Sequence, residues 1–296
     1  MDNKTDFEYF KDIWESFDSG WKSNSADVWN TRASDWESLL GDDTAFKRSH
    51  SERIAKVAEY LRGRGLLGND SSVVDIGCGP GRFVAEFAKT AGHVLGIDLS
   101  DKMVENGEKH ARDMGLPNTS WHACDFKNVD IDDMGWRGKF DLVFTSITHA
   151  VNNIDSLRKA MSISRAHCFN SSFVNYVDDL ESRVSEEVFS RGYKSKPMWN
   201  GRWFYALFNI LWLEGYYPET NYYKRTADEN VPVDDELVRY LTRTFSKEKN
   251  ENDMAIKPKI SEYLYSISDK DGMIMRHSER LYGWVLWDVR EKRGIR

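Results

Sequence analysis

The 296-residue sequence contains few cysteines, few prolines and no long hydrophobic run. Its 3 cysteines, Cys78, Cys124 and Cys168, lie far apart without a Cys-x-x-Cys pair, so we expect no disulfide framework and no metal site. No apolar stretch approaches the roughly 18 residues that a membrane-spanning helix needs. The first residues lack a basic region followed by an apolar one, so we expect no secretory signal. These absences predict a cytoplasmic protein without a membrane partner.

Acidic side chains outnumber basic ones in the sequence. There are 48 Asp and Glu residues against 41 Lys and Arg residues, which gives a net charge of -7. This balance disfavours broad contact with a phosphate backbone, although it does not exclude a local basic groove. Nucleic acid is therefore disfavoured as a partner. The unusual excess is aromatic, at 13% of the sequence with 11 tryptophans.

The order of hydrophobic patterns indicates an α/β protein. Residues 6–62 show the spacing of helices, and from residue 73 short apolar strands alternate with helices. The run Val73-Val74-Asp75-Ile76 predicts a buried strand, residues 82–91 predict a helix, and residues 94–98 predict a second strand. The alternation continues to residue 176. Such βαβ alternation predicts a parallel sheet covered by helices.

The strongest chemical signal is a glycine-rich loop, Gly77-Cys78-Gly79-Pro80-Gly81, between the first predicted strand and its helix. Glycines let the backbone adopt positive φ and approach a ligand closely, and the helix start offers free N–H groups. Dinucleotide-binding folds require Gly-x-Gly-x-x-Gly, but Arg82 stands where the last glycine would be. The loop is not a Walker phosphate-binding loop either. Asp98 ends the second strand, where a carboxylate can accept hydrogen bonds from ribose hydroxyls.

Four short motifs occur in order between residues 73 and 146. They are Asp75-Ile76-Gly77-Cys78-Gly79-Pro80-Gly81, then Gly96-Ile97-Asp98-Leu99-Ser100 followed by Met103, then Asp125-Phe126, and finally Phe140-Asp141-Leu142-Val143-Phe144. Together they resemble the class I S-adenosylmethionine-dependent methyltransferases. The segments Trp29-Asn30-Thr31-Arg32-Ala33 and Ser146-Ile147-Thr148-His149-Ala150-Val151 are similar to a poorly characterised branch of small-molecule type.

This resemblance implies a doubly wound α/β fold with a mainly parallel, seven-stranded, Rossmann-like sheet. We predict an N-terminal helical lid at residues 1–62 and a cofactor-binding core at residues 63–178. We also predict an aromatic-rich insertion that includes one strand at residues 179–270, and the final strand of the core sheet at residues 271–296.

The resemblance also implies S-adenosylmethionine as the cofactor. The residues it implies for binding are Gly77, Cys78, Gly79 and Gly81 along the methionine part; Asp98 at the ribose; Leu99 and Met103 beside adenine, with Asp125 and Phe126 at its edge; and Ser146 facing the transferred methyl group. For Cys78, a small side chain that makes only backbone contacts is the favoured alternative.

Three residues outside the motifs complete the predicted site. His149 follows the fourth strand and is a hypothetical general base, with a loop or capping role as the alternative. Arg32 is predicted to pair with the cofactor carboxylate and Trp29 to pack over the cofactor. The alternative is an ordinary amphipathic helix packed on the sheet.

The predicted function is methyl transfer from S-adenosylmethionine to a small molecule by in-line displacement. Many aromatic residues fall between Trp199 and Tyr223, where they form either core or an aromatic substrate pocket. The substrate is therefore expected to be aromatic or apolar. A protein-modifying methyltransferase and a non-catalytic cofactor-binding module are the alternatives.

Overall fold

The computed structural model describes residues 3–16, 25–39, 45–190, 192, 201–247 and 253–294. Trp199, which begins the aromatic segment, lies outside these ranges. Within the described ranges, the helices are too short or too polar to cross a membrane.

Ten helices and seven strands follow one another along the described chain. The helices are α1 (Asn3–Glu15), α2 (Ala26–Leu39), α3 (Ala45–Gly63), α4 (Arg82–Ala88), α5 (Asp101–Asp113), α6 (Ile154–Ile163), α7 (Asp179–Glu187), α8 (Arg202–Leu213), α9 (Asp235–Lys247) and α10 (Asp253–Ile267). The strands are β1 (Ser72–Ile76), β2 (His93–Asp98), β3 (Thr119–Ala123), β4 (Phe140–Ser146), β5 (Ser164–Asp178), β6 (Glu219–Pro232) and β7 (Met273–Asp288).

The strands form one seven-stranded sheet in the order β3-β2-β1-β4-β5-β7-β6. β1 pairs in parallel with β2 on one side and with β4 on the other, so that Ile76 lies beside both Ile97 and Thr145. The order of the chain reverses between β1 and β4, which makes this pair a topological switch point. The predicted fold class, a doubly wound and mainly parallel Rossmann-like sheet, is confirmed.

The chain divides into two compact units. Unit 1 comprises Met1–Ser172, Arg202–Tyr223 and Gly283–Arg296, and unit 2 comprises Phe173–Gly201 and Lys224–Tyr282. Each boundary but one falls inside β5, β6 or β7. The segment boundaries predicted at residues 62, 178 and 270 remain predictions.

Aromatic rings fill the core of unit 1 beneath the glycine-rich loop. Phe144 on β4 stacks on Phe169 of β5, with ring centroids 5.4 Å apart. Phe83 and Phe87 of α4 lie 4.7 and 4.9 Å from the Phe144 ring. Since the two helical rings lie one turn apart, they form an apolar face that holds α4 against the sheet.

The aromatic segment that includes α8 is divided between core and surface of unit 1. Phe204 is buried, whereas Tyr205 and Trp212 are 54% and 42% exposed. Tyr205 meets Phe10 of α1 edge to face at 5.3 Å. Part of the aromatic excess therefore stabilises the packing of α1 against α8.

Unit 2 has an apolar core and a buried ionic cluster of its own. Its core is formed mainly by α9 and α10, with Leu241, Ile260 and Leu264 at most 1% exposed. In the ionic cluster, Arg276 Nε donates to Asp178 Oδ2 at 2.8 Å, and Tyr176 Oη donates to the same oxygen at 2.8 Å.

β6 and β7 are longer than the sequence predicted. Within the predicted segments 179–270 and 271–296, the sequence indicates strands at residues 222–226 and 282–289, whereas β6 begins at Glu219 and β7 begins at Met273. The added residues are mostly polar, so their extended conformation depends on pairing with neighbouring strands rather than on a hydrophobic face.

Candidate functional site

The glycine-rich loop adopts the backbone conformation that its composition predicts. Gly77, Gly79 and Gly81 have φ of 73°, 53° and 69°, in the left-handed region that favours glycine. The N–H groups of Gly77 and Cys78 both donate to the carbonyl oxygen of Ile97, at 2.7 and 2.9 Å. The loop is thereby tied to the end of β2. The Cys78 side chain is buried, and burial raises the pKa of its thiol.

The loop that follows β4 presses directly against the glycine-rich loop. A Cβ added to Gly77 would lie 1.9 Å from Thr148 Oγ1, which is far inside van der Waals contact. The neighbouring Ile147 has a φ of 51°, an unfavourable value for a β-branched residue. Such backbone outliers concentrate at functional sites. Neither Ile147 nor Thr148 was predicted as a site residue. The only sequence feature that indicated a close neighbour at this point was the glycine content of the facing loop.

Asp98 connects the glycine-rich loop to the start of α5. Its Oδ2 accepts from the Gly79 N–H at 2.8 Å and its Oδ1 from the Ser100 N–H at 2.9 Å. Burial raises the pKa of the Asp98 carboxyl, while these backbone hydrogen bonds oppose that rise. The structure therefore places Asp98 beside the loop, and its predicted contact with the ribose remains a prediction.

Trp121 of β3 lies in a slot lined by three glycines. A Cβ added to Gly81, Gly96 or Gly107 would come within 2.1, 2.8 or 2.5 Å of the indole ring, respectively. Since the three glycines belong to the loop, β2 and α5, the indole fixes the spacing of those elements. Trp121 was not predicted to have this role.

The remaining predicted adenine contacts differ in exposure. Met103 and Phe126 are each 2% exposed, whereas Leu99 is half-buried. Asp125 accepts hydrogen bonds from Lys127 N at 3.0 Å and from Asn128 Nδ2 at 2.7 Å. The carboxylate of Asp125 thus braces the turn after β3, and its predicted adenine contact remains a prediction.

Helix α2 brings the predicted residues Trp29, Arg32 and His149 together. The His149 ring centroid lies 5.8 Å from that of Trp29, and the Arg32 guanidinium lies 4.9 Å from the Trp29 centroid. The helix is attached near the end of β2 because Ser100 Oγ donates to Asn30 Oδ1 at 2.5 Å. These contacts place the three residues in one group.

A second charged group lies on α3 and β1, and it includes Arg53, which was not predicted as a site residue. Arg53 is 6% exposed and donates through Nη1 to Ser146 Oγ at 2.8 Å. Asp75 is 2% exposed, and its Oδ2 is a buried oxygen without a hydrogen-bond partner among the described residues. Burial raises the pKa of Asp75 well above its ordinary value, the nearby Asp98 raises it further, and Arg53 opposes the rise. The available signal for Arg53 was its position on the same helical face as Val57, which is fully buried.

These observations fit a small ligand that carries both an adenosine and an amino-acid part. The three glycines with positive φ let the backbone approach a ligand closely, and Asp98 lies beside them. The buried Asp75 Oδ2 atom is a polar group with which an ammonium group could form a hydrogen bond. Within the described ranges, no cluster of three or more metal-ligating side chains occurs.

Comparison with known proteins identifies the family. The model of a family described as "Methyltransferase domain" matches residues 67–227, which is more than half of the chain. The chain belongs to this methyltransferase family. The predictions of a class I methyltransferase and of S-adenosylmethionine as its cofactor are confirmed at the level of the family.

The relatives of this methyltransferase domain cover it only in part. The 23S rRNA (uracil(1939)-C(5))-methyltransferase RlmD of Alcanivorax borkumensis is 40% identical over 75 residues, which are 25% of this chain and 17% of that enzyme. The ubiquinone biosynthesis O-methyltransferase of Rhodopseudomonas palustris is 33% identical over 92 residues, 31% of each protein. The methyltransferase domain thus spans less than a third of the length of these curated relatives.

A solved structure with a similar course of the chain is the magnesium protoporphyrin IX methyltransferase of Synechocystis PCC 6803 with bound S-adenosylhomocysteine. It is 17% identical, with a TM-score of 0.49, and the likeness covers 88% of this chain and 96% of that one.

These relatives correct one prediction about partners. A small-molecule substrate was expected and nucleic acid was disfavoured because the net charge is -7. That prediction is wrong, since the relatives include an enzyme whose name states an rRNA substrate. Net charge sums over the whole chain and does not describe the local surface at which a substrate binds.

Proposed function

We propose that this protein transfers the methyl group of S-adenosylmethionine to an acceptor whose reactive atom enters at the carboxyl end of β4. The observation that carries the proposal is the convergence of the glycine-rich loop, Asp98 and Ser146 at one edge of the sheet. β1, β2 and β4 are parallel neighbours, so their carboxyl ends meet there. Ligands of open α/β sheets bind in this crevice, at the switch point.

In the proposed site the protein mainly binds and orients. Gly77, Gly79 and Gly81 provide close backbone approach to the methionine part, and Asp98 accepts hydrogen bonds from the ribose. When bound, the cofactor supplies a methyl group that is already activated by the sulfonium, so the protein need not activate the methyl group itself. Holding two reactants in line accounts for a large part of the rate enhancement.

A proton must leave some acceptors during methyl transfer, and His149 is the proposed general base. Its ring packs beside Trp29 at 5.8 Å, next to the loop that carries Ile147 and Thr148. Trp29 and Arg32 are proposed to cover the cofactor from α2. A cytoplasmic location remains a prediction.

Ligand binding is the first test of the proposal. Isothermal titration should show binding of S-adenosylhomocysteine and no binding of NAD. Binding of NAD alone would overturn the proposed function.

Turnover and acceptor class are tested with methyl-labelled S-adenosylmethionine. The label is offered with an in-vitro-transcribed 23S rRNA, with a mixture of demethylated quinones and sterols, and with a protein extract, because the names of the relatives refer to an rRNA and to ubiquinone biosynthesis. Label in the RNA fraction would assign a nucleic-acid acceptor. Label in the organic or protein fraction would assign another class, and cofactor binding without transfer to any fraction would favour the non-catalytic module.

A further inference from the structure

Arg53 is a buried cation beside the glycine-rich loop, and it belongs to none of the motifs that predicted the site. Its Nη1 donates to Ser146 Oγ at 2.8 Å. Its guanidinium also lies over the ring of Phe83, 5.1 Å from the centroid. Ser146 ends β4 and Phe83 is the second residue of α4. Arg53 therefore connects the end of β4 with the start of α4.

The surroundings of Arg53 favour an anion. His50 lies one turn earlier on α3, and burial together with the charges of Arg53 and Arg82 lowers the pKa of His50 to about 3. The imidazole is therefore neutral, and Arg53 and Arg82 are the cations that act on it. Burial raises the pKa of the two acids at this edge, Asp75 and Asp98, which favours their neutral forms.

We propose that Arg53 binds the carboxylate at the methionine end of S-adenosylmethionine. This assignment rests on the proposed function, which places the methionine part along Gly77–Gly81 and beside Ser146. A guanidinium presents planar, paired donors that match a carboxylate, and desolvated pairs of this kind are strong.

The assignment differs from the prediction that Arg32 holds this carboxylate. The Arg32 guanidinium lies over the Trp29 ring at 4.9 Å, on α2. Arg53 instead contacts β4 and α4 directly, and it is the more deeply buried of the two arginines. Since charge-assisted hydrogen bonds strengthen away from water, the buried guanidinium is the stronger partner for a carboxylate.

The test compares two ligands that differ only in the carboxylate. S-adenosylhomocysteine and its decarboxylated form, S-adenosyl-3-thiopropylamine, are titrated calorimetrically against the wild-type chain and against Arg53→Gln. The wild-type chain should prefer S-adenosylhomocysteine, and Arg53→Gln should lower its affinity for that ligand by about 10- to 100-fold, the range of a lost charge-assisted hydrogen bond. The affinity of Arg53→Gln for the decarboxylated ligand should stay within about 3-fold of wild type, which is a small change in binding free energy.

Two further arginine variants sharpen the comparison. Arg62→Gln is the matched control, because Arg62 lies on the same helix and pairs with Glu86 at 3.4 Å. It should leave both affinities unchanged. Arg32→Gln tests the competing residue. A selective loss of S-adenosylhomocysteine affinity in Arg32→Gln, with none in Arg53→Gln, would overturn the assignment of Arg53.

The remaining outcomes separate the roles of Arg53. Equal loss of both ligands in a variant that still unfolds cooperatively would show a purely structural role and would overturn the assignment. If Arg53→Gln does not fold, Arg53→Lys replaces it, and this variant should retain a reduced but measurable preference for the carboxylate. An equal affinity of Arg53→Lys for both ligands would overturn the assignment. Absence of S-adenosylhomocysteine binding to the wild-type chain would instead refute the proposed function.

Discussion

Asp75 in unit 1 and Asp178 in unit 2 are both buried aspartates, at 2% and 0% exposure, but their surroundings are opposite. Asp178 accepts hydrogen bonds from Leu180 N, Glu181 N, Tyr176 Oη and Arg276. The Oδ2 atom of Asp75 has no hydrogen-bond partner among the described residues.

The contrast shows two uses of a buried charge. In unit 2 the acid and its partners satisfy one another. Burial lowers the pKa of Arg276, but the charge of Asp178 and the hydrogen bond to it raise the pKa, and the net shift is upward, so Arg276 retains its positive charge. In unit 1 burial drives Asp75 toward its neutral form, and its Oδ2 has no hydrogen-bond partner among the described residues. A self-satisfied network indicates a structural role, whereas a buried unsatisfied group is typical of a binding site.

The largest expected difference between the units is in stability. Asp178→Asn should reduce the free energy of unfolding by about 3–5 kcal/mol, because it leaves the Arg276 charge buried without its partner. Asp75→Asn should reduce it by less than about 1 kcal/mol, since an amide resembles the neutral carboxyl that burial favours. Urea denaturation followed by circular dichroism measures both. Equal losses would show that the two aspartates have the same role.

The next effect concerns ligand binding in unit 1. Asp98→Ala should weaken S-adenosylhomocysteine binding by about 10- to 100-fold, because it removes a buried hydrogen-bond acceptor for the ribose. Isothermal titration measures the change. Asp101→Ala is the control, since Asp101 is exposed in the first turn of α5. An unchanged affinity in Asp98→Ala would remove Asp98 from the ribose site.

A pH titration extends the comparison to histidines. In unit 1, burial lowers the pKa of His50 to about 3. As the pH falls below 6.5, the His50 imidazole is protonated in the unfolded chain but not in the folded one, so the folded state loses stability. Lowering the pH from 7 to 5.5 should therefore cost about 1 kcal/mol through His50. In unit 2, the hydrogen bond to Asp228 raises the pKa of His277, so this group adds stability at low pH and loses it as the pH rises through its folded pKa.

The variants His50→Gln and His277→Gln separate the two contributions. His50→Gln should make the free energy of unfolding less sensitive to acid, and His277→Gln should make it more sensitive. If both variants changed the acid sensitivity of the free energy of unfolding in the same direction, the two histidines would not have opposite pKa shifts in the folded protein.

The smallest expected effect is on backbone strain. Ile147 in unit 1 and Ser190 in unit 2 both have a φ of 51°. Replacing Ile147 by glycine should stabilise the protein by about 0.5–1 kcal/mol, because glycine lacks the Cβ that disfavours this conformation. Ser190→Gly should gain less, since serine is not β-branched. Thermal unfolding compares the two variants, and a loss of stability in Ile147→Gly would show that its side-chain contacts outweigh the strain.

Local sequence was sufficient to predict the cofactor half of the fold. Short apolar strands, glycines and strand-end acids lie close together in the sequence, and β1, the loop, β2 and Asp98 were found where they were expected. The first half of β7 was missed because Arg276 and His277 interrupt its apolar pattern. These side chains are accommodated by Asp178 and Asp228, which lie far away in the sequence and which no local pattern connects to them.

The sequence indicates candidate site residues where motifs carry them, and it does not indicate residues whose positions depend on tertiary packing. The roles of the motif residues remain predictions. Arg53 and Thr148 obtain their positions from tertiary contacts with Ser146 and Gly77, respectively. Arginine and threonine are mostly exposed residue types, so their types alone do not indicate burial at a site. The spacing of buried side chains on α3 was the one local sign of Arg53.

The slot around Trp121 restricts how related sequences can vary. A relative that replaces this tryptophan by a smaller residue gains room for side chains at Gly96 and Gly107, which the indole otherwise excludes. Gly81 remains constrained even then, because its φ of 69° disfavours any residue with a Cβ. Positions 96, 107 and 121 should therefore covary among homologues, while position 81 should stay glycine independently of them.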